Sequence, residues 1–329
     1  MLCLGIESTA HTFSCSVVED VKRSGRILSD IRSVYRPPEG SGIHPREASR
    51  HHAEQSSIVL ADALSTAKIG LEDIDAIAYS AGPGLGPCLR VGAVVARSLA
   101  EYHKKPIVPV NHAIGHLELG MLLTGAKEPL VLLVSGGHSM ILALSNNRWR
   151  VFGETLDITI GQLLDQFGRA EGFASPCGAR IEQLANSNNY LPLPYTVKGN
   201  DVSYSGLLTA AKRAATSNKL EDVCFSLQET AFAMLAEATE RALAFCNKKE
   251  LLVVGGVAAN KRLAGMLNDV CKRQKAKFFV TPINYAGDCG AQIAWTGMLE
   301  FKAGIKAKVE EAFVRQSWRL DTVDVTWKN

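Results

Sequence analysis

The chain is 329 residues long; 47% of the residues are apolar, 21% are charged, and the formal net charge is +3. This composition is typical of a globular protein with material for one large or two medium-sized hydrophobic cores. The small net charge argues against a surface that binds nucleic acid as a whole. No apolar run approaches the roughly 20 residues of a membrane span, and the N-terminus lacks a signal-peptide pattern. The eight cysteines form no Cys-x-x-Cys pair, so we expect a cytoplasmic protein that makes no membrane contact.

The pattern of apolar residues predicts an α/β organisation that occurs twice. In the first half, three strand-like runs precede a helix, a strand, a helix and a strand, at 2–6, 13–18, 26–35, 45–66, 76–79, 90–103 and 107–110. The second half has three strands, two helices, a strand, a helix and a strand, at 130–134, 140–144, 149–152, 161–172, 222–247, 251–254, 261–273 and 278–281. We therefore expect two duplicated α/β lobes with a ligand cleft between them and a hinge near Leu117–Lys127.

Four glycine-containing turns follow or join these strands and are candidates for binding a phosphate. They lie at 5–12, 80–87, 134–139 and 254–260. Glycine lets the backbone approach a ligand closely, so that amide N–H groups can converge on an anion. No turn has the Walker pattern or a Rossmann Gly-x-Gly-x-x-Gly in its proper context. Between these turns lie Asp157, Asp165, Gly178 and Glu182, and Asp165 could bind ribose hydroxyls.

Two histidines and an aspartate form a candidate metal site. His112 and His116 are spaced i and i+4, which on a helix places both imidazoles on one face, within reach of one ion. Asp288, which lies between two glycines, is the best candidate for a third ligand. Two histidines and one carboxylate with open positions suit Fe²⁺ or Zn²⁺ acting as a Lewis acid. Because Ala113 follows the first histidine, the His-Glu-x-x-His signature of zinc proteases is missing.

A second group of histidines lies in the segment His44–Glu54. His51 and His52 point about 100° apart on a helix, so they do not easily share one ion, whereas Glu47 and His51 lie on one face. The sequence leaves two interpretations open: acid–base groups that line the cleft, or a polar helix surface.

These motifs together resemble the universal tRNA threonylcarbamoyladenosine transferase family, from Leu2 to about Trp318. The matching motifs are His44–Ala48 with His51 and His52, Asn111–Glu118, Val134–Gly137, Ser203–Leu207, Gly255–Asn260 and Gly287-Asp288. The turn Ala10–Thr12 and the segment Val314–Asp321 look like the archaeal and eukaryotic branch, which supplies the catalytic subunit of the KEOPS complex. The resemblance implies an actin-like ATPase (ASKHA) fold with two RNase H-like lobes, at 1–122 and 123–300, and a C-terminal tail at 301–329.

The resemblance also implies a reaction. Members transfer a threonylcarbamoyl group from threonylcarbamoyl-AMP to N6 of the adenosine 3′ of the anticodon, in tRNAs that read codons beginning with A. His112, His116 and Asp288 would bind one divalent metal, Fe²⁺ in preference to Zn²⁺, and would carry the chemistry. The adenylate, an ATP- or AMP-type nucleotide, would be bound by Leu133, Val134, Ser135, Gly136, Gly137, Asp165, Gly178, Glu182 and Asn260. The implied partners are tRNA and KEOPS subunits, including a separate small kinase and a small dimerising subunit, and no DNA is expected.

The chain departs from the archaeal pattern at Leu133, where archaeal members usually carry a tyrosine able to reach the metal. Because leucine cannot bind a metal, we expect a site with three protein ligands. Three other functions remain open on the sequence: an actin-fold ATPase whose nucleotide controls partner binding, a metallopeptidase, and a non-catalytic scaffold. The peptidase is disfavoured because the glutamate that such enzymes use as a general base is missing.

Overall fold

The computed structural model describes residues 1–21, 24–38 and 40–328, and it contains two five-stranded sheets. The first sheet comprises β1 (Leu2–Glu7), β2 (Thr12–Val21), β3 (Ser24–Val34), β4 (Ala76–Gly82) and β5 (Ile107–Asn111). The second comprises β6 (Leu130–Val134), β7 (Ser139–Ser145), β8 (Arg148–Glu154), β11 (Glu250–Val254) and β12 (Lys277–Val280). A small hairpin adds β9 (Val197–Lys198) and β10 (Asp201–Val202).

The two sheets have the same topology. Their strand orders are β3-β2-β1-β4-β5 and β8-β7-β6-β11-β12. In each, the first three strands form an antiparallel meander, and the last two run parallel to the first. Buried apolar residues fill both central strands, as expected for parallel strands covered on two faces. The duplication predicted from the sequence pattern is therefore confirmed.

The helices cover both sheets and differ in how well the sequence predicts them. They are α1 (Pro45–Ala67), α2 (Gly86–His103), α3 (His112–Thr124), α4 (Ile160–Ala170), α5 (Gly178–Leu184), α6 (Ser205–Ala215), α7 (Leu220–Phe245), α8 (Lys261–Gln274), α9 (Ile283–Ala286) and α10 (Gly290–Lys302). The sequence pattern gives α1, α2, α4, α7 and α8 at nearly these positions. No helix within the described ranges is long and apolar enough to cross a membrane.

Helix α10 returns to the first lobe although it follows the whole second sheet in the chain. It packs along β1, β2, β4 and β5 and against α3. The approach is close: a Cβ on Gly5 would lie 2.2 Å from the backbone nitrogen of Ala294, and one on Gly297 would lie 2.3 Å from Cβ of Ala78. The lobe boundaries at 122/123 and 300/301 stay a prediction, but α10, placed in the second lobe by that division, covers the first sheet.

Helix α3 lies between the two lobes. It is buried from His112 to Met121, and it contacts α10 on one side and β11 on the other. A Cβ on Gly120 would lie 2.7 Å from Cγ1 of Val254, so glycine allows this close approach to the second sheet. The segment Leu117–Lys127, where we expect the hinge, is helical through Thr124 and turns at Gly125, which has a φ of +76°.

The residues after α10 wrap around the first lobe and α3. Arg315 N donates to the carbonyl of Ala81, and the amide of Asn111 donates to the carbonyl of Trp318. Leu320, together with Val323 and Val325, packs into the same apolar cluster as α3 and β6. The C-terminal segment therefore fixes the start of α3.

A candidate metal centre beside two glycine loops

The two histidines of the candidate metal site lie on the first two turns of α3. The helix begins directly after β5 because Asn111 caps it: its side-chain oxygen accepts from the amides of Ala113 (3.0 Å) and Ile114 (3.2 Å). The i, i+4 spacing then places the rings of His112 and His116 4.8 Å apart at 86°. Both side chains are buried. The predicted shared face is confirmed.

Asp288 reaches the same point from the connection between α9 and α10. Its Oδ1 lies 3.6 Å from Nε2 of His112 and 3.3 Å from Nε2 of His116. The ligand atoms of the three residues lie within 4.8 Å of one another. Ligand atoms bound at about 2.1 Å to a tetrahedral ion are about 3.4 Å apart, so the two measured separations suit one ion. The structure therefore brings the three predicted ligands together, although His116 and Asp288 are 172 residues apart in the chain.

The sequence analysis missed the contacts that hold His112. Glu7, at the end of β1, places Oε2 2.9 Å from Nδ1 of His112, while its Oε1 accepts from the amide of Thr9 at 2.6 Å. The hydroxyl of Thr9 and the amide of Gln292 also lie near this nitrogen, at 3.3 and 3.1 Å. A carboxylate on one ring nitrogen leaves the other, Nε2, directed at Asp288. The available signal was the position of Glu7 at a strand end inside a glycine-containing turn.

The buried charges interact strongly. Burial alone would lower the pKa of His112, but the carboxylates of Glu7 and Asp288 raise it to about 9. His116 behaves in the opposite way, since burial lowers its pKa more than Asp288 raises it. Burial also opposes ionisation of Asp288, yet the two imidazoles hold the pKa of Asp288 well below its usual range. The centre thus keeps a carboxylate ionised in an enclosed space, as a metal ligand requires.

A third histidine faces the centre from the second lobe. His138 lies on the turn between β6 and β7, and its ring is tilted by 27° from that of His112 with the centroids 6.4 Å apart. Burial, followed by the charge of His112, lowers the pKa of His138 to about 3. The sequence analysis included this residue in a glycine turn but gave it no role.

Two glycine loops of the second lobe lie side by side at the ends of β6 and β11. Gly255 has a φ of +94°, and a Cβ there would lie 2.3 Å from the carbonyl oxygen of Val134. Only glycine allows the two loops to approach this closely. Cβ atoms on Gly136, Gly137 and Gly256 would meet no atom of the described residues within 4 Å. These glycines therefore leave open space beside the paired strand ends.

The other predicted nucleotide residues lie on α4 and α5 of the second lobe. Asp165 on α4 accepts from the amide of Cys177 at 2.7 Å, directly before α5 begins at Gly178. Glu182 on α5 accepts from the amide of Lys261 at 2.8 Å, at the start of α8. These bonds join the start of α5 to α4 and the start of α8 to α5. They also occupy one oxygen of each carboxylate, so a ligand would have to use the other.

Asn260 caps α8 and is buried. Its oxygen accepts from the amides of Arg262 (2.9 Å) and Leu263 (3.1 Å), and its amide donates to Gln228 at 2.9 Å. Leu133 and Val134 are fully buried with their side chains in the core, so they can contact a ligand only through the backbone. Ser135 holds the glycine turn in place, because its hydroxyl accepts from the amides of Gly137 and His138.

Two further motifs have structural partners. His52 is buried and contacts the carbonyl of Ala10 at 3.0 Å, and burial lowers the pKa of His52 to about 4. The Ser203–Leu207 motif is held by Asp157, which accepts from Ser203 Oγ (2.6 Å), Tyr204 N (2.8 Å) and Ser205 N (3.0 Å). Both motifs therefore hold turns in place.

Comparison with known families gives a match over most of the chain. The sequence model of the family TsaD, described as tRNA N6-adenosine threonylcarbamoyltransferase, matches residues 26–295. A protein of that name from Caldivirga maquilingensis is 49% identical over 329 residues, which cover 99% of this chain and 98% of the relative. One from Thermococcus sibiricus is 49% identical over 330 residues, covering 99% and 100%. A probable bifunctional tRNA threonylcarbamoyladenosine biosynthesis protein from Methanothermobacter thermautotrophicus is also 49% identical, over 99% of this chain and 61% of the relative.

Solved structures support the fold. HypF from T. kodakarensis superposes with a TM-score of 0.64 at 14% identity, over 92% of this chain and 48% of HypF. The activator of 2-hydroxyisocaproyl-CoA dehydratase from Clostridium difficile, with bound ADPNP, gives 0.56 at 13% identity, over 92% and 97%. At such identities the likeness concerns the fold alone. It confirms the actin-like, two-lobed architecture expected from the sequence.

Proposed function

The chain belongs to the tRNA N6-adenosine threonylcarbamoyltransferase (TsaD) family, and on this premise we propose that it transfers a threonylcarbamoyl group to tRNA. The donor is threonylcarbamoyl-AMP, and the acceptor is N6 of the adenosine 3′ of the anticodon in tRNAs that read codons beginning with A. The observation that carries the proposal is 49% identity to transferases over the whole chain. The buried cluster of His112, His116 and Asp288 is the centre that we assign to the reaction.

The cluster fits a divalent ion, and we propose that His112, His116 and Asp288 hold one. The support is chemical: two imidazole nitrogens and a carboxylate oxygen converge, and Glu7 fixes the outer nitrogen of one imidazole. An ion bound there, Fe²⁺ in preference to Zn²⁺, would act as a Lewis acid that stabilises negative charge on a carbonyl oxygen. With Leu133 buried in the core, the protein supplies three ligands.

The adenylate would occupy the second lobe, beside the glycine loops. Backbone amides of the open turn at Gly136 and Gly137 can bind its phosphate without interference from side chains. Ser135, together with the free oxygens of Asp165 and Glu182, can bind sugar hydroxyls. Asn260 uses its oxygen and one Nδ2–H within the protein, and among the described residues this leaves its second amide N–H to donate to the ligand. Gly178 lies at the start of α5, where a Cβ would meet only Leu164 at 3.7 Å.

In the reaction, N6 of adenosine attacks the carbamoyl carbon of the donor. A C–N bond forms, the bond from that carbon to the phosphate oxygen breaks, and AMP leaves with the electron pair. One N6 proton passes to the departing phosphate or to water, so atoms and charges balance. The residues of the chain bind the two ends of the donor and exclude water from the carbon under attack. The anticodon-loop base must be unstacked to reach this point, as single-stranded loop bases allow.

We also propose that the chain works with partner subunits in a KEOPS-type complex in the cytoplasm, including a separate small kinase and a small dimerising subunit. The net charge of +3 supports shared binding of tRNA, because a polyanion is bound mainly through contacts between phosphates and basic side chains. No DNA contact is proposed.

A reconstituted reaction tests the transfer. The purified chain and its partner subunits are mixed with labelled threonine, bicarbonate, ATP, an adenylate synthase and tRNA, and the digested nucleosides are analysed by mass spectrometry. We expect threonylcarbamoyladenosine with the wild type and with Asp62→Ala, an exposed carboxylate on α1, but none with Asp288→Ala. Hydrolysis of ATP without modified tRNA would favour a nucleotide-controlled binding module. Unchanged modification by Asp288→Ala would rule out the proposed centre.

A further inference from the structure

The turn between β6 and β7 directs His138 across the cleft. The turn is closed by a bond from the amide of Ser135 to the carbonyl of His138 (2.8 Å), while the Ser135 hydroxyl accepts from the amide of His138 (3.0 Å). The hydroxyl of Thr159 donates to the carbonyl of Gly136 at 2.8 Å, which ties the turn to the start of α4. His138 therefore extends from a rigid support, as positioning of a reacting group requires.

The ring of His138 lies close to the candidate metal centre without joining it. Its centroid is 6.4 Å from that of His112, whereas the rings of His112 and His116 are 4.8 Å apart. The ligand atoms that lie within 4.8 Å of one another belong to His112, His116 and Asp288. His138 is therefore a neighbour of the three candidate ligands rather than one of them.

One nitrogen of His138 has no hydrogen-bonding partner in the described part of the chain. Its Nδ1 is buried, and among residues 1–21, 24–38 and 40–328 no group forms a hydrogen bond with it. A buried polar atom without a hydrogen-bonding partner destabilises a folded protein. Such an atom beside a reactive centre indicates that a ligand supplies the missing partner.

We propose that His138 is a further catalytic residue of the transfer, and that its Nδ1–H donates a hydrogen bond to the carbamoyl oxygen of threonylcarbamoyl-AMP. This assignment rests on the proposed function. In the proposed binding mode, the carbamoyl group of the donor lies between the phosphate, bound at the glycine turn, and the cluster of His112, His116 and Asp288. His138 stands at this junction, directly after Gly136 and Gly137 in the chain.

The hydrogen bond has a defined role in the group transfer. As N6 attacks the carbamoyl carbon, negative charge grows on the carbamoyl oxygen and then returns to the carbonyl bond when the bond to phosphate breaks. A fixed N–H donor aimed at this oxygen stabilises the charge where it develops and needs no rearrangement during the step. His138 neither gains nor loses a proton in this account, so its ring stays neutral throughout.

Replacement of the ring separates this role from metal binding. His138→Leu keeps the size but removes the donor, and we expect kcat to fall about 100- to 1000-fold, the usual effect of losing one such donor. The KM for tRNA should change less than about threefold, because the lost contact matters mainly in the transition state. The amide of His138→Asn can occupy the place of Nδ1, so we expect the kcat of this variant to be at least tenfold higher than that of His138→Leu.

A second readout does not depend on activity. The metal affinity of His138→Leu, measured by competition with a chelator, should stay within about threefold of wild type, whereas His116→Ala should lose the ion. His103→Leu, a histidine at the end of α2, serves as the matched control for both measurements.

The results separate this inference from the proposed function. If the wild type forms no threonylcarbamoyladenosine, the proposed function fails. If the wild type is active, a kcat for His138→Leu within twofold of wild type would overturn the inference. A loss of metal from His138→Leu would overturn it too, because His138 would then be a ligand. Should the leucine variant not fold, a folded His138→Asn with no more than a thousandth of wild-type kcat would also contradict it.

Discussion

Oε2 of Glu7 lies 2.9 Å from Nδ1 of His112, so a carboxylate from the first strand fixes a candidate metal ligand on α3. The two residues are 105 positions apart in the chain, and both are buried. Because the imidazole is held through Nδ1, its Nε2 faces Asp288. A side chain that is already oriented loses little conformational freedom when it binds a metal. The carboxylate also makes the imidazole more basic, so its Nε2 donates electrons to the metal more strongly.

Glu7→Gln should therefore weaken metal binding by about 10- to 100-fold without removing a ligand, as expected for the loss of a carboxylate that supports a histidine. Competition with a chelator of known affinity measures the change. Glu221→Gln, an exposed carboxylate on α7, is the matched control and should leave the affinity unaltered. Equal affinities for Glu7→Gln and wild type would show that the contact does not support the ligand.

Gly255→Ala should destabilise the protein and reduce nucleotide binding. Its φ of +94° is unfavourable for alanine, and the added Cβ would lie 2.3 Å from the carbonyl oxygen of Val134. We expect a loss of at least about 2 kcal/mol in the free energy of unfolding. Gly256→Ala is the matched control, since its Cβ would meet no atom within 4 Å. Chemical denaturation compares the two, and equal losses would contradict the proposed contact between the loops.

Asn260→Ala should lower the free energy of unfolding by about 1–2 kcal/mol, because it removes the cap of α8 and the bond to Gln228. Lys261→Ala changes the next residue, which is exposed, and should be nearly neutral. Urea denaturation monitored by circular dichroism gives both values. A neutral Asn260→Ala would mean that the cap adds little to the stability of the second lobe.

The stability contributed by Asp157 should depend on pH. Burial is the largest single influence on Asp157 and raises its pKa, but the hydrogen bonds from Ser203, Tyr204 and Ser205 together outweigh burial and hold the pKa of Asp157 well below its usual range. A folded-state pKa below the unfolded value of about 3.9 gives stability that is present above pH 4 and lost as the pH falls. Asp157→Asn should cost about 1 kcal/mol at pH 7, a modest value because the carboxylate is exposed and screened.

The matching measurement is the difference in unfolding free energy between wild type and Asp157→Asn from pH 7 to pH 3. It should shrink below pH 4, whereas Asp62→Asn, an exposed carboxylate on α1, should show little difference at any pH. A difference that stayed constant through this range would indicate that the ionised form of Asp157 is not what stabilises the Ser203–Leu207 turn.

Nearly continuous apolar runs predict the central strands at 2–6 and 130–134, because each of these strands is buried on both faces. Helix α10 was missed because its sequence is apolar almost all round, with ten buried residues among thirteen, so it has no amphipathic period. Its place on the first sheet depends on contacts with residues near 5 and 78. These residues are distant in sequence from α10, so no local sequence pattern predicts the contacts. The helical spacing of His112 and His116 is a local feature and was predictable.

The surroundings of the metal centre depend on contacts between distant segments. Glu7 and Gln292 reach His112 from the two ends of the chain, and His138 reaches it from the opposite lobe. Sequence reasoning could name such residues only as members of a turn or a helix. The structure adds which atoms meet, and so distinguishes the three candidate ligands from the groups that support them.

The central claim is that His112, His116 and Asp288 together bind one divalent ion. The most direct test is elemental mass spectrometry, which measures the metal content of the purified protein after it has been reloaded with Fe²⁺ or Zn²⁺ in the absence of oxygen. The account predicts one ion per chain for the wild type and for His103→Ala, and less than a tenth of an ion for His116→Ala at the same free-metal concentration. An unchanged metal content in folded His116→Ala would contradict it.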